Sequence, residues 1–261
     1  MPLAPRPSMV DRLPSPLAKV WRGAMDLLYP PFCPACDAVR LPAGKDGSHP
    51  PLCDECEKLL LPVTRPFCER CGQPYDGPPD ERFHCSNCAG REFDFDFAIA
   101  PYLARGVLRE MIHRFKFGRT LPLRRSLGRL MARVFTDERL AATEDWLLVP
   151  VPIHRRRYRQ RGFNQAVELA GILHRATSLP VVRGLRRIRF TPPQSRLSRE
   201  ERLANLDHAI AAHPRHISSV RDRAVLLVDD VFTTGSTAQA CAKVLAENGA
   251  RKVVVITLAR G

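Results

Sequence analysis

One stretch of thirteen residues, from Val225 to Thr237, constrains the fold of this chain more than any other part of the sequence. It reads Val-Leu-Leu-Val-Asp-Asp-Val-Phe-Thr-Thr-Gly-Ser-Thr. The four leading apolar residues predict a buried strand of a parallel sheet, and the small polar residues predict a tight turn that opens a helix. Asp229 and Asp230 would then emerge at the carboxyl end of a strand, where open α/β sheets bind ligands.

The chemistry of this stretch suits a phosphorylated sugar. Two adjacent carboxylates accept hydrogen bonds from vicinal ribose hydroxyls, and a hydrated Mg2+ shares their charge. A glycine in the turn lets backbone N–H groups approach an anion, and the helix N-terminus adds its positive dipole end. The stretch resembles the signature with which type I phosphoribosyltransferases bind 5-phosphoribosyl-1-diphosphate (PRPP). We therefore expect a 5-phosphate to be held by Thr233, Thr234, Gly235, Ser236 and Thr237.

Three other interpretations of the stretch compete with this one. A strand that ends in two aspartates also occurs in Walker B elements, but the chain contains no G-x-x-x-x-G-K-[ST] motif. A receiver domain has a similar acidic pair, but the 31 residues after Asp230 are too few for its remaining strands and helices. An ordinary strand, turn and capped helix stays open as the third alternative, although two aspartates at a buried strand end are costly without a ligand.

Eight of the nine cysteines form four C-x-x-C pairs within 56 residues. The first two pairs are separated by 16 residues and the last two by 13, which predicts two tetrahedral zinc sites with four thiolate ligands each and a structural role. Disulfides are the alternative, but a cytosolic chain keeps its thiols reduced. We assign Cys33, Cys36, Cys53 and Cys56 to one site and Cys68, Cys71, Cys85 and Cys88 to the other, while spacing alone leaves a crossed pairing open.

The cysteine-rich region also divides the chain. Residues 29–92 contain few large aliphatic side chains, so they need a metal to stabilise a fold. We expect an N-terminal segment over residues 1–28, a double zinc ribbon over 29–92 and an α/β domain over 93–261. The expected α/β domain is a twisted, mostly parallel sheet with helices on both faces.

Charge is distributed unevenly between the two halves. Residues 1–96 carry 11 Lys and Arg against 14 Asp and Glu, whereas residues 97–261 carry 30 against 13, a surplus of 17 positive charges. Such a surplus favours polyphosphate or nucleic-acid partners, with a solvated basic surface as the alternative. No apolar run approaches the length of a membrane span, and the N-terminal residues do not resemble a secretory signal. We expect a cytoplasmic protein.

Periodicity places further elements in the basic half. Residues 93–103 predict a strand, residues 107–115 a helix that ends at Lys116, and residues 121–135 a second helix. Residues 146–152 predict a core strand, followed at 154–165 by an arginine-rich loop that suits a pyrophosphate, or else is a solvated cluster. Residues 186–205 lack a core pattern and suit a mobile lid, or else a surface loop.

Motifs in the basic half resemble those of one family. They read P-V-P-I-H from Pro150, R-G-F-N-Q-A from Arg161, R-F-T-P-P-Q-S-R-L-S from Arg189 and T-L-A-R from Thr257. Together with the paired cysteine knuckles, they are similar to the ComF/GntX family over residues 29–261. The resemblance implies a type I phosphoribosyltransferase domain behind a double zinc ribbon. Members of the family are tied to uptake of single-stranded DNA in natural transformation or grouped with gluconate-uptake proteins.

The resemblance also implies roles for individual residues. Asp229 and Asp230 would bind the ribose of PRPP together with Mg2+. Residues near the presumed pyrophosphate loop would be Lys116, His154, Arg161, Asn164 and Gln165. Residues of the lid would be Gln194, Arg202 and Asn205. The implied partners are PRPP or a related phosphosugar, single-stranded DNA and competence-machinery proteins. A non-catalytic accessory protein that binds nucleic acid and keeps the site as a ligand sensor is the rival interpretation.

Overall fold

The computed structural model describes residues 32–39, 41–42, 49–78, 83–118, 120–140, 145–190 and 209–261. The helices in this part of the chain are α1 (Asp54–Lys58), α2 (Gly106–Phe117), α3 (Leu123–Met131), α4 (Arg155–Arg161), α5 (Gln165–Thr177) and α6 (Ser236–Glu247). The strands are β1 (Phe97–Ile99), β2 (Tyr102–Leu103), β3 (Trp146–Pro150), β4 (Leu185–Arg187), β5 (Ile210–Ala212), β6 (Ala224–Phe232) and β7 (Lys252–Arg260). Short 3-10 helices cover Ala132–Thr136, Glu138–Leu140 and Ile217–Val220.

The main sheet has the order β1-β7-β6-β3, and β2 pairs with β7 beyond the end of β1. All of these pairings are parallel, as the sequence predicted. Asp229 lies opposite Thr257 in the register of β6 and β7. Strands β4 and β5 form a separate antiparallel pair. The middle strands β6 and β7 consist almost entirely of buried residues, which is typical of a parallel sheet that is covered on both faces.

Helices cover both faces of the sheet, as expected. Successive side chains of a strand point to opposite faces, so Leu226 and Val228 pack in one core with α2, α3 and α5. Val225 and Leu227 pack in the other core with α6. The carboxyl ends of β3 and β6 are thereby held at one edge, between α5 on one side and α6 on the other. This rigid edge carries the polar residues that the sequence singled out.

The structure differs from the predicted elements in three places. The predicted strand over 93–103 is divided into β1 and β2, because Pro101 lacks the N–H that a continuous strand needs. The predicted arginine-rich loop contains a helix, α4, which has no buried residue and ends at Gly162 with φ +84°. Strand β6 extends past the four apolar residues and includes both Asp229 and Asp230.

The described part of the cysteine-rich segment, residues 32–39, 41–42, 49–78 and 83–92, packs against the β1–β2 edge through backbone hydrogen bonds. Val63 N–H donates to Pro101 C=O at 2.9 Å, and Leu103 N–H donates to Leu61 C=O at 2.8 Å. Ala98 N–H donates to Arg70 C=O at 2.9 Å. These bonds anchor the segment to the domain that carries the sheet. Among the described helices, none combines the length and apolar character that crossing a membrane requires.

Candidate functional site

The acidic pair, Asp229 and Asp230, lies at the carboxyl end of β6. Asp230 N–H donates to Asp229 Oδ1 at 2.9 Å, and the Asp230 side chain is buried. Burial and the neighbouring Asp230 carboxylate raise the pKa of Asp229 to about 7, against an opposing effect of Lys116. Two oxygen-rich side chains held this close suit hydroxyl donors or a hard divalent cation. Mg2+ fits this donor set.

Lys116 comes from the last turn of α2 and reaches the acidic pair. Its Nζ lies 2.9 Å from Asp230 Oδ2. The sequence predicted that Lys116 lies near a ligand site. In the structure, Lys116 forms a direct ion pair with Asp230, one of the predicted ribose-binding residues. The amphipathic pattern of α2 explains the placement, since Met111, Ile112 and Phe115 bury the opposite side of the last two turns.

The β6–α6 loop, residues 233–235, follows the acidic pair directly. Gly235 has φ +77°, a conformation that side-chain-bearing residues rarely adopt. Thr234 Oγ1 lies 2.9 Å from Ser236 Oγ, and α6 begins at Ser236. The loop and the start of α6 form a depression. Because the first N–H groups of a helix have no partner within it, this depression suits an anion. The depression is lined by Asp229, Thr257 and every residue from Val231 to Ala238.

Arg161, at the end of α4, faces the same edge. Its Nη1 donates to Gln165 Oε1 at 2.9 Å. Burial lowers the pKa of Arg161, while the charges of Asp230 and Asp229 act in the opposite direction, which places the guanidinium within electrostatic reach of the acidic pair. Gln165 is buried, and its Nε2 is without a partner among the described residues. Arg161 therefore lies within electrostatic reach of the acidic pair, and Gln165 is bonded to Arg161.

His154 and Asn164 cap the N-termini of two helices. His154 Nδ1 accepts from Arg156 N–H at 3.2 Å at the N-terminus of α4. Asn164 Oδ1 accepts from Ala166 N–H at 3.0 Å at the N-terminus of α5, and its Nδ2 donates to Val151 C=O at 3.0 Å. These contacts order the chain around Arg161, and the predicted contact of the two side chains with a ligand stays a prediction.

Arg157 and Arg187 lie near Arg161 and enlarge the basic side of the site. Burial lowers the pKa of Arg157, and the charges of Arg187 and Arg161 lower it further. Burial also lowers the pKa of Arg187, which interacts favourably with Asp229. Arg187 lies within the predicted lid segment 186–205, but the sequence did not single it out as a site residue because β4 carries no motif. Three partly buried guanidiniums that repel one another suit a polyanion.

The predicted lid residues Gln194, Arg202 and Asn205 lie outside the described residues. The described residues stop at Phe190 and resume at Ala209. The pairing of β4 with β5 brings these two points of the chain close to each other, since Arg187 lies opposite Ile210. That juxtaposition places both points next to Arg187.

Two groups of four cysteines form in the cysteine-rich segment. Within each group the Sγ atoms all lie within 4.8 Å of one another, which suits a tetrahedral metal site. Each group is built from two consecutive knuckles, so the crossed pairing is not the arrangement of this structure. Hydrogen bonds from the backbone of Ala38 and Val39 lower the pKa of Cys36 to about 7, which favours the thiolate that zinc binds. The groups are Cys33, Cys36, Cys53 and Cys56, and Cys68, Cys71, Cys85 and Cys88.

Comparisons with known proteins agree with both parts of the chain. A model of the double zinc ribbon domain matches residues 24–89, and a model of the phosphoribosyl transferase domain matches residues 164–261. Competence protein F of Haemophilus influenzae is 33% identical over 202 residues, which cover 75% of this chain and 85% of that protein. DNA utilization protein YhgH of Escherichia coli K12 is 31% identical over 205 residues, covering 76% and 86%.

Two further similarities are more partial. Competence protein ComFC of Bacillus subtilis is 30% identical over 164 residues, covering 61% of this chain and 62% of that protein. The solved structure of glutamine PRPP amidotransferase from B. subtilis is 21% identical and covers 52% of this chain and 26% of that chain, with a TM-score of 0.33.

Proposed function

Since this chain belongs to the ComF/GntX family, we propose that it binds PRPP with Mg2+ at the acidic pair and the β6–α6 loop, and that it serves the uptake and use of single-stranded DNA. The names of its relatives as competence and DNA utilization proteins support the second part. The phosphoribosyl transferase match supports the first. One observation carries the proposal: an acidic pair, an anion-binding turn and three guanidiniums converge at one edge of a parallel sheet.

Each part of PRPP has a matching group at the site. The 5-phosphate fits the N–H groups of the β6–α6 loop, and the ribose hydroxyls fit the carboxylates of Asp229 and Asp230. The diphosphate fits the guanidiniums of Arg157, Arg161 and Arg187, which burial makes more effective than exposed arginines. Mg2+, when bound, supplies further positive charge against the diphosphate.

The reaction that this arrangement supports is transfer of ribosyl phosphate. The bond between C1 and the diphosphate oxygen breaks, the diphosphate leaves with the electron pair, and an acceptor forms the new bond to C1. The arginines stabilise the charge that develops on the leaving diphosphate. The proton that the acceptor loses as the bond forms passes to solvent, since Asp229 and Asp230 are assigned to the ribose hydroxyls.

Calorimetric titration of the protein with PRPP and Mg2+ tests the proposal. The double variant Asp229→Asn/Asp230→Asn should lose binding, since each lost hydrogen bond to a charged group costs about 1.5–3 kcal/mol. Asp222→Asn is the matched control, because Asp222 is exposed and precedes β6 at its amino end. Unchanged affinity in the double variant, or no binding by the wild-type protein, would overturn the proposal.

A second candidate function, non-catalytic binding of single-stranded nucleic acid, is favoured by the surface of α4. Arg155, Arg156 and Arg159 are exposed there, and Tyr158 is 52% exposed. Phe117, 60% exposed, lies under the Arg161 guanidinium with 5.1 Å between Cζ and the ring centroid. Exposed aromatic rings among arginines suit stacked bases and their phosphates.

Competition between the two ligands distinguishes the candidates. Displacement of labelled single-stranded DNA by PRPP would mean that both bind at the same edge of the sheet. Binding of DNA with no heat from PRPP would favour the non-catalytic function. Binding of PRPP with no DNA binding at low salt would favour the transferase alone.

A further inference from the structure

Arg260, the last residue of β7, connects the second cysteine group with the β6–α6 loop. The residue is only 4% exposed. Its Nη1 donates to Phe232 C=O at 3.0 Å and also to Gly261 C=O, and its Nη2 lies 3.9 Å from Cys71 Sγ. Its Cζ lies 5.4 Å from the centroid of the Phe232 ring. One buried guanidinium therefore touches both a cysteine of the second group and the residue that precedes the loop.

The charge of Arg260 calls for an anion. A buried guanidinium is costly unless an opposite charge accompanies it. Among the described residues, no Asp or Glu side chain forms an ion pair with Arg260, and its oxygen contacts are with Phe232 and Gly261. Its neighbour Cys71 belongs to a group of four cysteines, and four thiolates with one divalent zinc ion carry a net negative charge. The second cysteine group in its metal-bound form is thus a negatively charged group that fits this arginine.

A second arginine makes a parallel connection. Arg91 Nη1 donates to Asn87 C=O at 3.0 Å, between Cys85 and Cys88, and to Thr234 C=O at 3.3 Å, inside the β6–α6 loop. Close by, Asp94 N–H donates to Gln239 Oε1 of α6 at 2.9 Å. The second knuckle of the group is therefore bonded to the loop independently of Arg260.

The loop is packed so that a shift at Phe232 reaches it. A Cβ built on Gly235 would lie 2.8 Å from Phe232 Cζ, so the Gly235 backbone rests directly on that ring. The Phe232 ring in turn lies beside the Arg260 guanidinium. Interiors packed this closely transmit displacements between neighbours.

The first cysteine group offers a contrast. Arg114 of α2 connects to it in the same manner: Nη1 donates to Pro34 C=O at 3.0 Å, and Nη2 lies 3.2 Å from Asp37 Oδ2. These contacts join the first knuckle to α2 and do not extend to the β6–α6 loop. Among the described residues, arginines thus connect to both cysteine groups, and only those at the second group, Arg260 and Arg91, also connect to the β6–α6 loop or the residue before it.

We propose that Arg260 is a positioning residue through which the metal-bound second cysteine group holds the β6–α6 loop in its anion-binding conformation. Loss of the metal removes the negatively charged group beside the guanidinium. Loss of the guanidinium removes a donor from Cys71 and leaves Phe232 C=O with Gly261 N–H as its remaining donor. Either change loosens the loop. The coupling of metal to loop does not depend on the proposed function, which enters only through the choice of ribose 5-phosphate as the probe.

Hydrogen exchange measured by mass spectrometry tests the coupling without any ligand. In Arg260→Met the amides of residues 233–238 should exchange faster than in the wild-type protein, and alkylation of Cys71 should be faster. Arg114→Met is the matched control, in which exchange of residues 233–238 should stay unchanged. Equal exchange of these residues in all three proteins would overturn the proposal. If Arg260→Met does not fold, Arg260→Lys, which keeps the charge but loses the paired contacts of the guanidinium with Phe232 C=O and Cys71, is measured in its place, and the same outcomes decide.

Thermodynamic linkage supplies the second arm. If binding of ribose 5-phosphate orders the loop, it must also raise the metal affinity of the second group. The factor is the same as that by which metal loss lowers the affinity for ribose 5-phosphate. Coupling of the usual size changes each affinity by about 5- to 150-fold. Saturating ribose 5-phosphate should therefore slow the release of zinc from the second group to a chromogenic chelator. Release from the first group should not change. Alkylation of the freed cysteines identifies which group has lost its zinc.

The two arms separate the two proposals. If wild-type protein does not bind ribose 5-phosphate but Arg260→Met still accelerates exchange of residues 233–238, the proposed function fails and the coupling stands. If ribose 5-phosphate binds but zinc release from both groups is slowed equally or not at all, the coupling fails and the proposed function stands.

Discussion

Lys116 Nζ lies 2.9 Å from Asp230 Oδ2, so a cation from α2 is paired with one of the two carboxylates at the end of β6. The Lys116 side chain is 24% exposed and that of Asp230 is 8% exposed, so water screens the pair only partly. Asp229 has no such cation within ion-pair distance among the described residues, and its pKa rises to about 7. Two adjacent aspartates therefore have different electrostatic roles.

Replacing Lys116 should destabilise the protein. In Lys116→Met the buried Asp230 carboxylate loses its partner, which should lower the free energy of unfolding by about 1–3 kcal/mol. Urea denaturation measures the change. Lys58→Met is the control, because the pair of Lys58 with Glu55 is exposed on both sides and such pairs contribute little. Adding Asp230→Asn to Lys116→Met should recover part of the loss, and no recovery would mean that the pair does not account for it.

Affinity for PRPP should depend on the ionisation of Asp229. A carboxylate accepts hydrogen bonds from ribose hydroxyls better than a protonated carboxyl does, so affinity should rise as the pH increases through about 7. Calorimetric titrations at a series of pH values on either side of that pKa measure the step. In Asp229→Asn the step should disappear, leaving only the ionisation of the ligand's own phosphates. An identical pH profile in wild type and variant would contradict the assignment.

The conformation of Gly235 gives a third prediction. Gly235→Ala forces a side chain into a left-handed conformation and brings its Cβ to 2.8 Å from Phe232 Cζ. The strain should cost about 1–3 kcal/mol and weaken binding of ribose 5-phosphate. Gly171→Ala in α5 is the matched control, because a Cβ there meets nothing within 4 Å and alanine favours the helix by about 1 kcal/mol. Thermal unfolding and calorimetry of both variants provide the comparison.

Metal content provides a fourth prediction. Native mass spectrometry should find two zinc ions per chain, one for each cysteine group. Cys56→Ser should lower the zinc content by one ion and leave the second group loaded, whereas Cys241→Ala should retain both ions. Cys241 is the suitable control, since it is completely buried on the core-facing side of α6 and belongs to neither group. Full zinc retention in Cys56→Ser would contradict the assignment of ligands.

Binding of single-stranded DNA should depend on salt. Each phosphate neutralised contributes a slope of about −0.7 in log affinity against log salt concentration. Arg156→Gln should therefore weaken binding and reduce the magnitude of the slope by about 0.7. Arg251→Gln makes the same charge change at the amino end of β7, away from α4, and should leave the slope unaltered. A salt response that both variants change equally would indicate a diffuse basic surface with no defined DNA site.

Sequence reasoning reached those parts of the site that are contiguous in the chain. Asp229, Asp230 and the β6–α6 loop form one local strand–turn–helix unit, so their order and spacing carry the information. The helix α4 was missed because it buries no residue, and a helix without an apolar face has no hydrophobic period. The ion pair of Lys116 with Asp230 and the approach of Arg187 to Asp229 join distant segments. Such contacts depend on packing and leave no local pattern.

The cysteine knuckles show the same limit. Their spacing predicted four thiolate pairs, because each C-x-x-C pair needs only a short turn to bring its sulfurs together. The chain order of the groups and the bridge from Cys71 to Arg260 follow from how the ribbon packs against the sheet. No residue type or spacing in the sequence indicates that Arg260, the last residue of β7, is buried beside Cys71.

The sheet order β1-β7-β6-β3 makes the two middle strands the last of the sheet to be synthesised. During translation, β1, β2 and β3 leave the ribosome before their ladder partners β6 and β7 exist. Unpaired strand edges on a nascent chain invite association with other chains. During synthesis, the earlier strands must therefore be kept apart from other nascent chains until residues 224–260 have been translated. The completed fold does not show this requirement.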